Sequence, residues 1–236
     1  MMPFGDRLAQ ADTLVQTLQT HIWGPLARRL DVVPYGYETH INEGVRGRMR
    51  FLRTPTSKFV RFTPDFFVLD RQKPENLYLL EYKVTQTPLF SKARIRQMGQ
   101  EAGLTGLDWP DVGQMEADAY DNYLNLHQAG LRVVVLNYCA YHSRPLLCDF
   151  IHNLQVLHRD VVTTDTKKGS RTPFINFYAP GLRQLSRFLH DEHGLKIAEP
   201  AYNQAIQTLT THLPITHHPQ SPLYKAQPPA SITNSE

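Results

Sequence analysis

Two short apolar segments, joined by a polar connection, each carry an acidic residue. Asp65 lies in the apolar run over residues 62–69, and Glu81 lies in a second run over residues 78–84 that also contains Lys83. Alternate side chains of a β-strand point to the same face, so Glu81 and Lys83 are expected to project together. Charges inside apolar strands are costly unless each has a partner. The pattern therefore predicts two neighbouring strands that bring both acids and the lysine to one site.

The connection between the two runs favours a hairpin. Residues 70–76 are polar and include Pro74, which is typical of a turn rather than of a crossover helix. Pairing of the two strands would bring Asp65 and Glu81 close together. Two nearby carboxylates repel each other unless a hard cation lies between them. A site with oxygen ligands and without His or Cys favours Mg²⁺, or Mn²⁺ as a substitute, over zinc.

The same residues form a motif that resembles the active site of a known superfamily. The motif of the PD-(D/E)XK nucleases, which share the restriction-endonuclease-like fold, is matched by Pro64-Asp65 followed by Glu81-Tyr82-Lys83. The resemblance extends over residues 30–140. It implies an α/β protein with a restriction-endonuclease-like core, in which helices flank a central mixed β-sheet, and the remaining residues would add strands and helices at the C-terminal side.

The resemblance also implies a role for each residue of the motif. Asp65 and Glu81 would bind the metal ion, Tyr82 would lend its backbone carbonyl, and Lys83 would position or activate the attacking water. A metal ion can lower the pKa of bound water and neutralise charge on a phosphodiester, so this chemistry is coherent. An alternative is that Asp65 and Glu81 form only structural ion pairs, because such networks also place charges near strands.

Further candidate residues lie on either side of this motif. Many members of the superfamily use an additional upstream acid, for which Glu38 is preferred over Glu43 because its neighbours are aromatic. Downstream, residues 114–127 have helical spacing, and some members place a Gln and a Tyr on a helix at this point. Gln114 could orient a metal-bound water or contact a phosphate, or it could be a capping or surface residue. Tyr123 on the same helix is expected to pack.

Positive charge is concentrated next to the predicted site. Residues 44–64 carry six basic residues and no acidic residue, although the whole chain has a net charge of only +3. Lys and Arg side chains that contact phosphates supply most of the non-specific affinity for DNA. The residues expected to contact DNA are Arg46, Arg48, Arg50, Arg53 and Lys58. The alternative is a basic strand or loop that is simply solvated.

Length and composition predict one globular unit in a reducing compartment. With 236 residues and 41% hydrophobic residues, a single domain over residues 1–213 is expected, followed by a disordered tail over residues 214–236. Cys139 and Cys148 lack the spacing of a zinc motif and the density of a disulfide scaffold, so buried thiols are expected. No segment is long and apolar enough to span a membrane, and a cytoplasmic location is predicted.

The spacing of apolar residues outlines several other elements. An amphipathic helix within residues 6–30 should cover one face of the sheet, and residues 131–136 and 172–178 should be strands. Residues 180–193 and 203–213 should be helices. His190 and His193 near the end of the first of these helices are interpreted as surface residues rather than as metal ligands.

Taken with the resemblance, these observations imply a Mg²⁺-dependent DNA endonuclease that leaves 5′-phosphates. A type II restriction endonuclease that cuts double-stranded DNA at a specific site, acting as a homodimer so that two sites cut two strands, is the first expectation. The alternatives are a transposon end-cleaving nuclease, a repair or junction-resolving nuclease, and a DNA-binding module without catalysis.

Overall fold

A computed structural model describes residues 12–35, 52–53, 59–60, 64–85, 92–107, 111–139, 146–165 and 170–213. The helices are α1 (residues 12–26, with a π-helical turn at Gln19–Trp23), α2 (Lys92–Glu101), α3 (Ala117–Gln128), α4 (Leu185–His193) and α5 (Glu199–His212). The strands are β1 (Leu30–Pro34), β2 (Leu52–Arg53), β3 (Phe59–Val60), β4 (Phe66–Asp70), β5 (Tyr78–Thr85), β6 (Val112–Glu116), β7 (Val133–Cys139), β8 (Leu146–Phe150), β9 (Val156–Asp165), β10 (Ser170–Tyr178) and β11 (Arg183–Gln184). Short 3-10 turns occupy Ile151–Asn153 and Ala179–Gly181.

The main sheet has six strands in the order β1-β4-β5-β7-β8-β11. Strands β5 and β7 are parallel, whereas the other neighbours in this sheet pair antiparallel. Parallel neighbours need a crossover connection, and α3 lies in the chain between β5 and β7. The predicted central mixed β-sheet flanked by helices is confirmed. Additional strands and helices follow β7, also as predicted.

The predicted hairpin of β4 and β5 is confirmed, and its register brings the two acids to the same end. Phe66 pairs with Leu80 and Val68 pairs with Tyr78. Asp65 immediately precedes β4, while Glu81 immediately follows Leu80. The antiparallel register therefore sets the two acidic residues at the same level of the hairpin.

The two faces of β5 pack against different parts of the protein. Tyr78 and Leu80 belong to a cluster formed with residues of α1, α4 and α5. Leu79, on the face shared with Glu81 and Lys83, belongs to a second cluster formed with residues of α3 and β10. The α1 residues Leu14, Leu18 and Ile22 are buried in the first cluster, as the predicted helix over one sheet face requires. The acids therefore face α3.

A second, three-stranded sheet of order β6-β10-β9 corrects the helix predicted from residue 114. Gln114 pairs with Asn176 and Glu116 pairs with Phe174, so residues 112–116 form strand β6 and the helix begins at Ala117. Local spacing does not reveal this pairing because the partner strand lies some sixty residues away in the chain. For the same reason α4 begins only at Leu185, since residues 183–184 pair with β8.

The prediction that His193 is a surface residue is wrong. His193 is 1% exposed, and its Nδ1 lies 2.9 Å from Oδ2 of the fully buried Asp70. Arg29 Nε donates to Oδ1 of the same carboxylate at 2.6 Å. The hydroxyl of Tyr78 lies 3.3 Å from the other ring nitrogen of His193. This buried network ties the β4–β5 connection to the C-terminal end of α4.

None of the helices in the described ranges is long and apolar enough to cross a membrane. The predicted tail over residues 214–236 lies outside the described residues. Cys148 is a free, buried thiol, as predicted.

Candidate active site

Asp65 occupies a bend before β4 rather than a position within that strand. Its backbone carbonyl accepts a hydrogen bond from the Tyr35 N–H at 2.8 Å. Its carboxylate oxygen Oδ2 accepts one from the backbone N–H of Tyr82 at 2.7 Å. Asp65 is thus attached to β5 at Tyr82. The carbonyl of Tyr82 is the third predicted metal ligand.

Glu81 is held from two directions. It is 6% exposed, and the Lys83 ammonium donates to its Oε1 at 2.6 Å. The Tyr123 hydroxyl, which projects from α3, donates to its Oε2 at 3.0 Å. The structure therefore brings Asp65, Glu81, Tyr82 and Lys83 together at one end of the β4–β5 hairpin.

The charges of these residues are strongly interdependent. Burial raises the pKa of Asp65 well above its ordinary value, and the Glu81 carboxylate raises it further. The nearby Lys83 ammonium and the Tyr82 N–H lower the pKa of Asp65, but they do not cancel these effects. Burial alone would lower the pKa of Lys83, yet the Glu81 and Asp65 carboxylates hold it above its ordinary value. Two acids thus share one ammonium, and the arrangement favours additional positive charge.

Three other polar residues lie on the strands β6 and β7. Asn137 on β7 is fully buried and pairs in register with Lys83. Glu116 on β6 lies close enough for its charge to raise the pKa of Lys83 and of Tyr123. Gln114 Nε2 donates to Asn176 Oδ1 at 2.9 Å, so this side chain has a structural partner across two strands of the second sheet.

The donor atoms fit a hard divalent cation. Asp65 and Glu81 could supply carboxylate oxygens, and Tyr82 could supply its backbone carbonyl. Mg²⁺ is commonly held by one or two carboxylates while substrate phosphates and waters complete its coordination. Within the described ranges, no group of three His, Cys, Asp or Glu side chains is arranged to hold a metal ion. Within those ranges, the candidate ligands at this point are two carboxylates and one carbonyl.

Several predicted residues lie outside the described part of the chain. They include both candidates for the upstream acid and most of the residues expected to contact DNA, namely Glu38, Glu43, Arg46, Arg48, Arg50 and Lys58. Arg53 lies in β2, where only its backbone is described. The roles of these residues stay predictions.

Tyr123 makes a contact with the candidate site that the sequence does not reveal. It was expected to pack on a helix, and it does so, but its hydroxyl also contacts Glu81. The helical spacing from residue 114 predicts Glu116 and Tyr123 on one face of a helix, but Glu116 belongs to β6. The contact of Tyr123 with β5 cannot be read from local spacing.

No protein-family model matches the sequence, and a search of curated proteins finds no match. Among solved structures, the chain is similar to D212, a nuclease from a fusselovirus, at 10% sequence identity and a TM-score of 0.40. The match covers 82% of this chain and 95% of that chain. At that level of similarity the match carries no argument about function. The functional interpretation rests on the side chains around Asp65 and Glu81.

Proposed function

We propose that this protein is a Mg²⁺-dependent endonuclease that hydrolyses phosphodiester bonds of DNA. The observation that carries the proposal is the meeting of Asp65, Glu81 and Lys83 at one end of the β4–β5 hairpin. Two carboxylates and one ammonium in a largely apolar setting are costly to the fold. A function that needs a hard cation next to a positively charged donor accounts for that cost.

In this proposal each residue of the hairpin has a separate task. Asp65 and Glu81 bind the cation through carboxylate oxygens, and Tyr82 contributes its carbonyl. The Tyr82 N–H donates to the Asp65 carboxylate, so Tyr82 both holds one ligand and offers its own carbonyl as another. When bound, Mg²⁺ supplies Lewis-acid polarisation of a phosphate oxygen and a lower pKa for water.

Lys83 orients the attacking water. An ammonium group has three N–H donors, and one of them contacts Glu81. The others can donate to a water molecule or to a phosphate oxygen that gains negative charge as the water attacks phosphorus. Donors that are fixed before the reaction stabilise such charge effectively because little reorganisation is needed.

The finer proposals concern the substrate and the assembly. The six basic residues in residues 44–64 favour DNA, whose phosphates attract such a segment. We propose double-stranded DNA, cleavage at a specific site as in a type II restriction endonuclease, and a homodimer that cuts both strands. A transposon end-cleaving nuclease and a repair or junction-resolving nuclease would use the same chemistry.

The first test is cleavage of unmethylated plasmid and phage DNA by the purified protein with Mg²⁺ or with EDTA. Discrete fragments that need Mg²⁺ are the expected result. Lys83→Ala is expected to lower the cleavage rate about 100-fold, the lower end for loss of a group that assists proton transfer or orients water. Lys196→Ala, a change at an exposed lysine between α4 and α5, is the control and should cut at the wild-type rate.

The alternatives give different results in this experiment. Absence of cutting by the wild-type protein would contradict a stand-alone nuclease. If the protein still bound DNA, the result would favour a nuclease that needs a partner or a binding module without catalysis. Equal cutting by wild type and Lys83→Ala would remove Lys83 from the mechanism.

A second prediction concerns the basic segment. Arg48→Ala is expected to weaken binding of DNA of any sequence and to reduce the slope of log K against log salt by about one. Binding measured by fluorescence anisotropy at several salt concentrations checks this. Arg187→Ala is the matched control, because Arg187 is exposed on α4 and already pairs with Asp191 at 2.9 Å. An unchanged slope for Arg48→Ala would contradict a phosphate contact.

A further inference from the structure

Tyr123 contacts the candidate site from a different element than the motif residues. It lies on α3, is 2% exposed, and donates its hydroxyl hydrogen to Glu81 Oε2 at 3.0 Å. The rest of its ring belongs to the apolar cluster between the main sheet and β10. The hydroxyl is therefore the one part of this side chain that bears on the carboxylate.

The two donors to Glu81 fix its carboxylate in one orientation. Lys83, two residues further along β5, donates to Oε1, and Tyr123 on α3 donates to Oε2. Ordering a free glutamate side chain on cation binding costs conformational entropy. The two hydrogen bonds order Glu81 before a cation binds. Each carboxylate oxygen has two acceptor positions, so both contacts are compatible with a cation on the remaining lone pairs.

We propose that Tyr123 is a positioning residue that holds Glu81 in the orientation in which it binds the cation. This inference rests on the proposed metal-dependent function, because it concerns the same site. Groups that hydrogen-bond to metal ligands set the orientation of those ligands, and their loss costs about 10- to 100-fold in metal affinity or activity. Burial and the neighbouring carboxylates raise the pKa of the Tyr123 phenol, so it remains a donor throughout the neutral range.

Tyr123→Phe separates the hydroxyl from the packing. The phenylalanine ring fills the same space, and only the hydrogen bond to Glu81 is lost. Binding of Mn²⁺ to the protein without DNA, measured by electron paramagnetic resonance or calorimetry, is expected to weaken about tenfold. The Mg²⁺ concentration needed for half-maximal cleavage is expected to rise by a similar factor, while the cleavage rate at saturating Mg²⁺ falls less.

Tyr138→Phe is a matched control on the other face of the main sheet. The hydroxyl of the buried Tyr138 donates to the Leu213 carbonyl at 3.2 Å. The same chemical change there removes a buried hydrogen bond without touching Glu81. We expect it to lower the midpoint of thermal unfolding but to leave Mn²⁺ binding at the wild-type value.

A double-mutant cycle tests whether Tyr123 acts through Glu81. In a Glu81→Gln background, Tyr123→Phe should change Mn²⁺ binding little further, because the carboxylate that it orients is absent. Equal Mn²⁺ affinity of wild type and Tyr123→Phe would overturn the positioning role while leaving the metal site intact. Equal, weak Mn²⁺ binding by wild type and Glu81→Gln would instead overturn the proposed metal site itself.

Discussion

Replacing Asp65 by asparagine is expected to abolish measurable cleavage while leaving the protein folded and able to bind DNA. The change removes one of the two charged oxygen donors, so the cleavage rate at saturating Mg²⁺ should fall by at least about 10³-fold. The asparagine carbonyl oxygen can still accept the hydrogen bond from the Tyr82 N–H. No basic residue is altered, and affinity for DNA should remain at the wild-type value.

The stability of the same variant is expected to be unchanged or higher. The pKa of Asp65 is raised by burial and by the Glu81 carboxylate, which means that the ionised form of Asp65 is unfavourable in the folded protein without a cation. A neutral amide removes this repulsion. A variant with lost activity and undiminished stability is the pattern expected of a residue retained for function.

Cleavage assays and thermal unfolding in EDTA check the two halves of this prediction separately. Asp31→Asn provides the comparison, since Asp31 is a partly exposed acid on β1 that pairs with Arg71. It should cut at the wild-type rate. Cleavage by Asp65→Asn at the wild-type rate would contradict the assignment of Asp65 as a ligand, and a marked loss of stability would assign Asp65 a structural role.

The hairpin and its acids could be predicted from the sequence because the information is local. The alternation in residues 78–84 sets the face of Glu81 and Lys83, and the polar residues 70–76 indicate the turn. Because this one short connection joins β4 to β5, it also sets the register in which the two strands pair. Only the start of β4 differs from the prediction, because Asp65 lies in the bend before the strand and not within it.

Other features could not be predicted because they depend on residues far apart in the chain. The pairing of β6 with β10 turns Gln114 from a helix residue into a strand residue. Tyr123 contacts Glu81 only because α3 packs against the face of the main sheet that bears Glu81. His193 lies in a sequence with the composition of a surface helix end, and its burial follows from an acid 123 residues earlier.

That acid, Asp70, is expected to be among the most important residues for stability. It receives side-chain hydrogen bonds from Arg29 and lies against His193, and the backbone N–H groups of Gln72 and Lys73 donate to it at 2.9 and 3.2 Å. Asp70→Ala removes all of these contacts at once. We expect a loss of about 3 kcal/mol in the free energy of unfolding, the lower end for breaking a buried pair, because Arg29 retains partial contact with solvent.

Urea unfolding followed by circular dichroism measures this loss, and pH provides a further check. Burial alone would raise the pKa of Asp70, but Arg29 and His193 hold it well below its ordinary value. A depressed pKa in the folded state means that the contribution is complete above the ordinary carboxylate pKa of about 3.9 and is lost as the pH falls below it. The difference in the free energy of unfolding between wild type and Asp70→Ala should therefore become smaller in that acidic range.

A neighbouring ion pair, where β1 begins and β4 ends, shows why burial decides the outcome. Arg71 and Asp31 are joined by two hydrogen bonds, at 2.9 and 2.6 Å, and their geometry is as good as that of Arg29 and Asp70. Their side chains are 54% and 33% exposed, however, so water replaces the lost partner. Asp31→Ala should leave the urea midpoint nearly unchanged. Equal midpoints for Asp70→Ala and Asp31→Ala would contradict the view that the buried network, rather than the hydrogen-bond geometry alone, stabilises the hairpin on which the candidate site is built.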